Sequence, residues 1–204
     1  MKAKIVALLL FVSGFLSLTA APDASGTKNF AHAINLNPVG IVFGSYGGNY
    51  ELLLAQTHGL VFEGAYANIN YSSGSNESRS KGWGLSFNYR WHWSNAMESG
   101  FLGVFARYSS AVGTGTVTAT SGSVSTKSNF DVDMKTTTFG LNIGKRWVWD
   151  SGINVVVRIG YGYAILSMTA NTNDPNVNNF LSDIKPILQA LAGFDAELSI
   201  GYAF

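Results

Sequence analysis

The chain has 204 residues, of which 47% are apolar and only 12% charged, with thirteen basic against twelve acidic side chains and no cysteine. Roughly half the usual charged share is too little for the water-facing surface of a soluble domain, and the near-neutral balance excludes an electrostatic partner such as nucleic acid. A disulfide framework and thiolate metal sites are excluded outright, and beyond the N-terminus there is no run of the roughly 20 apolar residues that a membrane-crossing helix needs.

The first residues read as a leader. Lys2 and Lys4 precede an apolar stretch from Ile5 to Leu18, and Thr19-Ala20-Ala21 is a small-residue cleavage zone. Cleavage is expected after Ala20, which makes 1–20 a signal peptide and 21–204 one domain; an uncleaved anchor is disfavoured by the shortness of the apolar run. Thirteen basic residues less Lys2 and Lys4 leaves eleven, still close to neutral.

After the leader the pattern has period two, the mark of strands. A first strand is expected within Lys28 to Gly44, with Ile34 and Leu36 on one face, Asn35 and Asn37 on the other, and an end or bend at Pro38, which lacks a ladder donor. The second, about Gly48 to Gln56, sets Tyr50, Leu52 and Leu54 against Glu51; Thr57-His58-Gly59 then turns into a third with Phe62, Gly64 and Tyr66 against Glu63. Residues 72–81 read as a polar loop.

The fourth segment, Gly82 to Trp93, alternates most clearly: Trp83, Leu85, Phe87, Tyr89, Trp91 and Trp93 on one face, Gly82, Gly84, Ser86, Asn88, Arg90 and His92 on the other. The fifth sets Leu102, Val104, Ala106 and Tyr108 against Gly103 and Arg107. A Ser/Thr/Gly-rich stretch follows, read as a hairpin around Ser121-Gly122 that prolongs strands five and six, with disorder as the other reading of its low complexity. The sixth, Thr136 to Trp149, sets Phe139, Leu141, Ile143, Trp147 and Trp149 against Gly140, Asn142, Gly144 and Arg146; the seventh sets Val155, Val157, Ile159, Tyr161 and Tyr163 against Val156, Arg158, Gly160 and Gly162.

Residues 171–192 switch to helical spacing, with a start at Asp174-Pro175, apolar Val177, Phe180, Leu181, Ile184, Leu188 and Leu191, and a kink expected at Pro186. The last strand places Phe194, Ala196, Leu198, Ile200, Tyr202 and Phe204 opposite Asp195, Glu197, Ser199 and Gly201. Eight strands result. The connections at 57–59, 94–99 and 150–152 are short and those at 72–81, 109–135 and 166–192 long, alternating as the inner turns and outer loops of a membrane barrel do. The expected fold is therefore all-β: an eight-stranded antiparallel up-and-down transmembrane barrel with one short helix in the last outer loop.

A soluble eight-stranded barrel alternates in the same way with its faces reversed. Three features favour the membrane. All five tryptophans lie on the apolar phase, and Trp91, Trp93, Trp147 and Trp149 gather, with Phe204, at the turn ends as an interfacial girdle. The polar phase is too poor in charge and too rich in glycine to face water. The third is the ending GFDAELSIGYAF. With Leu198, Ile200, Tyr202 and Phe204 on one phase, it resembles the C-terminal targeting strand of outer-membrane β-barrel proteins, and the layout resembles small barrels of the outer membrane protein A and outer membrane protein X type. That resemblance implies recognition of the last strand by the barrel-assembly machinery, an outer-membrane location and a monomer in outer-membrane lipid. The helix near 175–191 departs from the type.

The inward phases collect Glu51, Glu63, Arg90, Arg107, Arg146, Arg158 and Glu197, with Asp195 and His92 at the margins. Counted from the turns, the seven fall within about 15 Å of height at ~3.3 Å per residue. Unpaired charges in so narrow a space are too costly, so mutual pairing is expected, with Glu63 level with Arg90 if their hairpin folds about Asn76-Glu77. The leading expectation is a side-chain-filled lumen in a non-enzymatic protein that serves envelope structure or surface interaction through its outer loops. The alternative is a narrow gated conduit for small solutes or hydrophobic molecules. A lipid A-modifying enzyme ranks below both: His32 and His58 lie near the turn end and His92 is inward and low, none beside the outer leaflet. No cofactor or metal is expected, and the surface ligand is not legible.

Overall fold

The computed structural model describes residues 29–42, 44–73, 76–94, 96–121, 124–172 and 174–204; the expected leader lies outside them. Eight strands form, β1 His32–Leu36, β2 Ser45–Leu54, β3 His58–Ser73, β4 Asn76–His92, β5 Ser99–Ser121, β6 Val124–Val148, β7 Ile153–Ala170 and β8 Phe194–Ala203. Each pairs antiparallel with its chain neighbours, and β8 pairs with β1 to close the barrel. Helix α1, Pro38–Val42, joins β1 to β2, and helix α2, Pro175–Ala192, joins β7 to β8. The all-β, up-and-down architecture and the helix in the last long connection are as the spacing predicts.

The faces are sorted in the sense that a bilayer requires. Outward Leu141 and Tyr163 are 62% and 70% exposed, whereas inward Arg90 and Arg146 are wholly buried. Apolar outside and charge inside is unstable in water, because the outer surface would forgo the hydrophobic gain of burial; in hydrocarbon it is the stable sense. Closure leaves no lipid-facing strand edge along the paired ladders. Among the described residues no helix is long and apolar enough to cross a membrane; the crossing is made by strands. A second aromatic belt, at the loop end, comprises Tyr46, Tyr66, Trp83, Tyr108 and Tyr163, all exposed. Trp83 and Trp91 lie eight residues apart on β4, roughly 26 Å along the strand, which at the usual tilt of about 40° is roughly 20 Å of height, near the apolar band of about 25 Å.

Three boundaries differ from the sequence reading. The first strand, expected within 28–44 with an end or bend at Pro38, is shorter, His32–Leu36, and does end just before that proline. Its register with β8 runs Ile34↔Tyr202 and Leu36↔Ile200, so Pro38 falls opposite Leu198 with no N–H to continue the ladder. The same proline opens α1 at the first helical position, and Asn37 caps it, accepting a hydrogen bond at 3.0 Å from the Gly40 N–H. Gly44, at φ 76°, turns the chain back into β2.

The turn expected at Thr57-His58-Gly59 lies at residues 55–57, with Ala55 and Gln56 in the left-handed region, because His58 and Gly59 already pair with Leu54 and Leu53. Of residues 72–81, expected as a loop, 72–73 and 76–81 are strand: β3 and β4 stay paired to Ser73↔Asn76, and 74–75 lie outside the described residues. Their polarity marks the exit from hydrocarbon, not the end of the sheet. The β5–β6 pair continues in the same way to Ser121↔Val124, and the tip at 122–123 lies outside the described residues.

These boundaries make the loop half of the wall uneven. β7 continues to Ala170 although β8 begins only at Phe194, opposite Tyr161. On the other side β2 begins at Ser45, opposite Ala67, while β3 runs on to Ser73. Helices α1 and α2 complete that side. Helix α2 continues through Pro186 and lies on β7, with Val177 buried and Gln189 Nε2 donating to the Ala164 carbonyl at 2.7 Å. Of the residues expected on its packed face, Phe180 and Leu191 are exposed, as is Ile187.

Candidate functional site: a cross-braced lumen

The inward phase is built in three layers. At the turn end, Ala33, Leu53, Met97 and Ala203 form a buried apolar cluster with Phe30 and Val148 packed against it. Four of these are simply the inward residues at the strand ends. Met97, from the β4–β5 connection, tucks under them and accepts a hydrogen bond on its sulfur from Arg146 Nη1 at 2.6 Å.

Above this plug lies the charge layer. Arg146 on β6 reaches Glu51 on β2 at 2.6 Å, Arg90 on β4 reaches Glu197 on β8 at 2.8 Å, and Arg158 on β7 reaches Glu63 on β3 at 3.0 Å. Each pair joins strands four apart in a ring of eight, so each spans a diameter of the barrel. Arg90 also binds Glu51 at 2.7 Å, His92 Nε2 meets the other Glu51 oxygen at 2.8 Å, and Arg158 Nη1 lies 3.0 Å from Glu197. On the fourth diameter, β1 to β5, the lumen is filled by buried Phe101, over which the Arg90 guanidinium stacks at 4.4 Å. Polar side chains extend the network: Asn49 donates to Glu197 at 2.7 Å, Asn35 to Asn49 at 2.9 Å and Ser199 to Glu197 at 2.6 Å.

The loop-side layer holds Arg107 and Asp195. Asp195, which the alternation alone puts at the margin, is 4% exposed and central: it meets Arg158 Nε at 2.9 Å, Asn142 Nδ2 at 3.0 Å and Arg107 Nη1 at 3.5 Å. With it the lumen holds four carboxylates (Glu51, Glu63, Asp195, Glu197) facing four guanidiniums (Arg90, Arg107, Arg146, Arg158). Arg107 Nη2 donates to the carbonyls of Ala192 and Phe194 at 2.7 and 2.8 Å, and Thr138 Oγ1 to Ala192 at 3.1 Å. The last carbonyl of α2 is thereby satisfied and its negative end sits on a cation.

The seven residues read from the sequence thus share one lumen, but one expected neighbour pair does not form. Glu63 and Arg90 are not level. The hairpin pairs Ser73 with Asn76, setting Gly59 opposite Arg90 and Ser86 opposite Glu63, a shift that hands Glu63 to Arg158. Gly59 has its own reason to lack a side chain: a Cβ there would collide with Glu51 Oε1 and come within 3.0 Å of His92 Nε2. Phe101, Phe105 and Leu53 were missed as lumen residues, although their parity with Gly103, Arg107 and Glu51 places them there, and Asp195, read as inward but marginal, proves central.

On the outer face, Trp91, Trp93, Trp149 and Phe204 are exposed at the turn end, and Trp147 is half-covered by outward Lys145, whose ammonium lies 5.1 Å from its ring. Lys145 is the one charge the sixth strand's apolar phase carries there, held where a long side chain reaches the headgroups. Leu198, Ile200, Tyr202 and Phe204 share the outward face of β8, with Phe204 stacked on His32 at 5.4 Å and near Tyr202 at 6.5 Å. His32 and His58 each meet a tyrosine hydroxyl on this rim, Tyr50 at 2.7 Å and Tyr89 at 2.6 Å.

An inverted, closed, eight-stranded antiparallel barrel with a charged and filled interior defines the class: a small membrane-spanning barrel of the outer-membrane kind. The family model described as protein of unknown function DUF3575 matches residues 7–185, and the chain belongs to that family. Among solved structures, CarO2 of Acinetobacter baumannii is similar at a TM-score of 0.51 and 10% identity, over 86% of this chain and 98% of that one. CarO of the same organism aligns at 0.48 and 12%, over 86% and 97%. At such identity the likeness concerns the fold alone. No curated protein matches the chain.

Proposed function

We infer that this is a non-catalytic protein of the bacterial outer membrane whose barrel is a closed scaffold and whose work, in envelope structure or surface interaction, is done by the segments standing outside the lipid. The observation that carries this reading is the lumen: three diametric ion pairs above an apolar plug leave the interior occupied by side chains. The strands of the β3–β4 and β5–β6 pairs, prolonged well beyond the loop-side aromatic belt, supply the outer surface. In this reading the partners are outer-membrane lipid and, during insertion, the barrel-assembly machinery acting on the β8 strand; the barrel works as a monomer. Planar-bilayer recording tests it. The reconstituted protein is expected to give no steady current, and reproducible conductance steps would overturn the closed scaffold.

A second reading, a narrow gated conduit, draws on the part-exposed Arg107 and Glu63, each 27% exposed at the top of the charge layer. Re-pairing of the arginines would then open a water path, and the same recording decides between the two. Catalysis on lipid A is not part of the proposal, because His92 is engaged by Glu51 inside the lumen and His32 and His58 sit on the turn-end rim. Release of an acyl chain from purified lipid A, absent with a heat-unfolded control, would reverse that.

A further inference from the structure

Above Arg107 the lumen is not filled. A cavity of about 300 Å³ opens there, lined along three neighbouring strands by Ala65, Ala67, Gly82, Gly84 and Ala111, with Arg107 at its floor and the end of α2 at its side. That volume is at the lower limit of small-molecule sites. The walls are mostly alanine methyls and bare glycine backbone, with the Ser109 and Thr136 hydroxyls as the neutral polar groups on the inward phase, so they offer chiefly van der Waals contact. Arg107 is the one charged residue among those lining the cavity, and its side chain stays 27% exposed after binding Ala192, Phe194 and Asp195. From Arg107 to Ala111 the β5 wall rises roughly 13 Å at ~3.3 Å per residue, so the cavity is longer than a compact polar solute needs.

We propose that this vestibule is a binding site for a medium-chain carboxylate, its head on Arg107 and its apolar chain along the small-residue faces of β3, β4 and β5. A guanidinium favours a carboxylate through paired, charge-assisted hydrogen bonds. The chain leaves water for an apolar slot at a gain proportional to the area covered. Arg158 holds both Glu63 and Asp195 at 2.9–3.0 Å, whereas Arg107 meets Asp195 only at 3.5 Å, so part of the Arg107 charge is left to face a carboxylate in the cavity. The site goes beyond the scaffold reading and holds whether or not the lumen conducts.

The test is equilibrium dialysis of radiolabelled octanoate against the full chain in lipid nanodiscs, with empty nanodiscs as the blank and octanol as a competitor without the charged head. Gly84→Leu fills the slot without an obvious clash, because a Cβ at Gly84 would meet only Ser109 Cβ and the Tyr108 carbonyl, both at 3.5 Å. Expected are saturable binding of one octanoate per barrel, at least a tenfold loss in Gly84→Leu and in Arg107→Gln, and poor competition by octanol. Uptake equal to the blank, undiminished binding in folded Gly84→Leu, or octanol competing as well as unlabelled octanoate would each overturn the site. Should Arg107→Gln fail to fold, since it also ties α2 to the wall, the Gly84→Leu and octanol arms decide alone.

Discussion

Arg146 on β6 and Glu51 on β2 meet at 2.6 Å across the full width of the barrel, with neither side chain exposed. Two strands four places apart cannot exchange backbone hydrogen bonds, so this contact is a tie the sheet itself cannot make. With Arg90–Glu197 and Arg158–Glu63 it crosses the lumen in three directions. Each brace resists ovalisation of a wall whose ladders alone leave its cross-section free to flatten.

Glu51 receives three partners, Arg90, Arg146 and His92, at 2.6–2.8 Å. Glu51→Gln leaves buried Arg146 without a carboxylate partner and Arg90 with Glu197 alone, and is expected to cost about 3–5 kcal/mol, read as unfolding free energy by urea titration in lipid vesicles. Arg107→Gln, at a part-exposed site bonded mainly to carbonyls, is expected to cost less. Equal losses would mean that burial of the network contributes nothing particular.

The register assigns Glu63 to Arg158 rather than to Arg90. A double-mutant cycle on Arg158 and Glu63 should return a coupling within about 0.5–3 kcal/mol, and the cycle on Arg90 and Glu63 a smaller one, since those residues communicate only through Glu197 and Arg158. The opposite ranking would restore a hairpin folded about Asn76-Glu77.

Gly59→Ala adds a single methyl where Glu51 and His92 already touch. Overpacking of this kind typically costs about 1–3 kcal/mol, and here it must also move a carboxylate bound on three sides. The variant should unfold at lower urea than wild type, whereas Gly64→Ala, outward with nothing nearer than Leu85 Cδ2 at 3.7 Å, should not. A melt unchanged by Gly59→Ala would show the carboxylate to be loosely held.

Glu98, in the short connection between β4 and β5, has its carboxyl pushed above the ordinary range by burial, with Asp150 adding to the rise and Lys145 opposing it. A raised folded value means that the native state keeps a proton the unfolded chain has already released. Its contribution to stability is therefore present in acid and lost as pH rises through the carboxylate range. Replacing Glu98 with Gln should leave stability near that of wild type at about pH 4 and raise it relative to wild type by about pH 7. Parallel pH curves for the two proteins would refute the shift.

Much of the architecture follows from the chain's period of two. Once Trp83, Leu85 and Phe87 share a phase with Trp91, the partition of every strand into a lipid face and a lumen face is settled, because successive side chains must alternate. The same parity, applied to Leu53, Phe101 and Phe105, would have placed them in the lumen; they were passed over because an apolar residue on a polar phase reads as noise. Polarity was the misleading cue at 72–81, where Ser, Asn and Arg suit a strand in water as well as they suit a loop.

What the sequence by itself determined is which side chains enter the lumen and how many strands enclose it. What only the tertiary structure decided is which charge answers which. Partners such as Arg146 and Glu51, or Arg158 and Glu63, lie 95 residues apart, and their heights depend on hairpin registers, on the stagger at which β8 meets β1 and on the ring's closing at eight. A shift of a few residues in one hairpin, as between β3 and β4, moves a carboxylate from one arginine to another. Alternation is a local steric rule that every residue carries, whereas stagger belongs to the closed sheet as a whole.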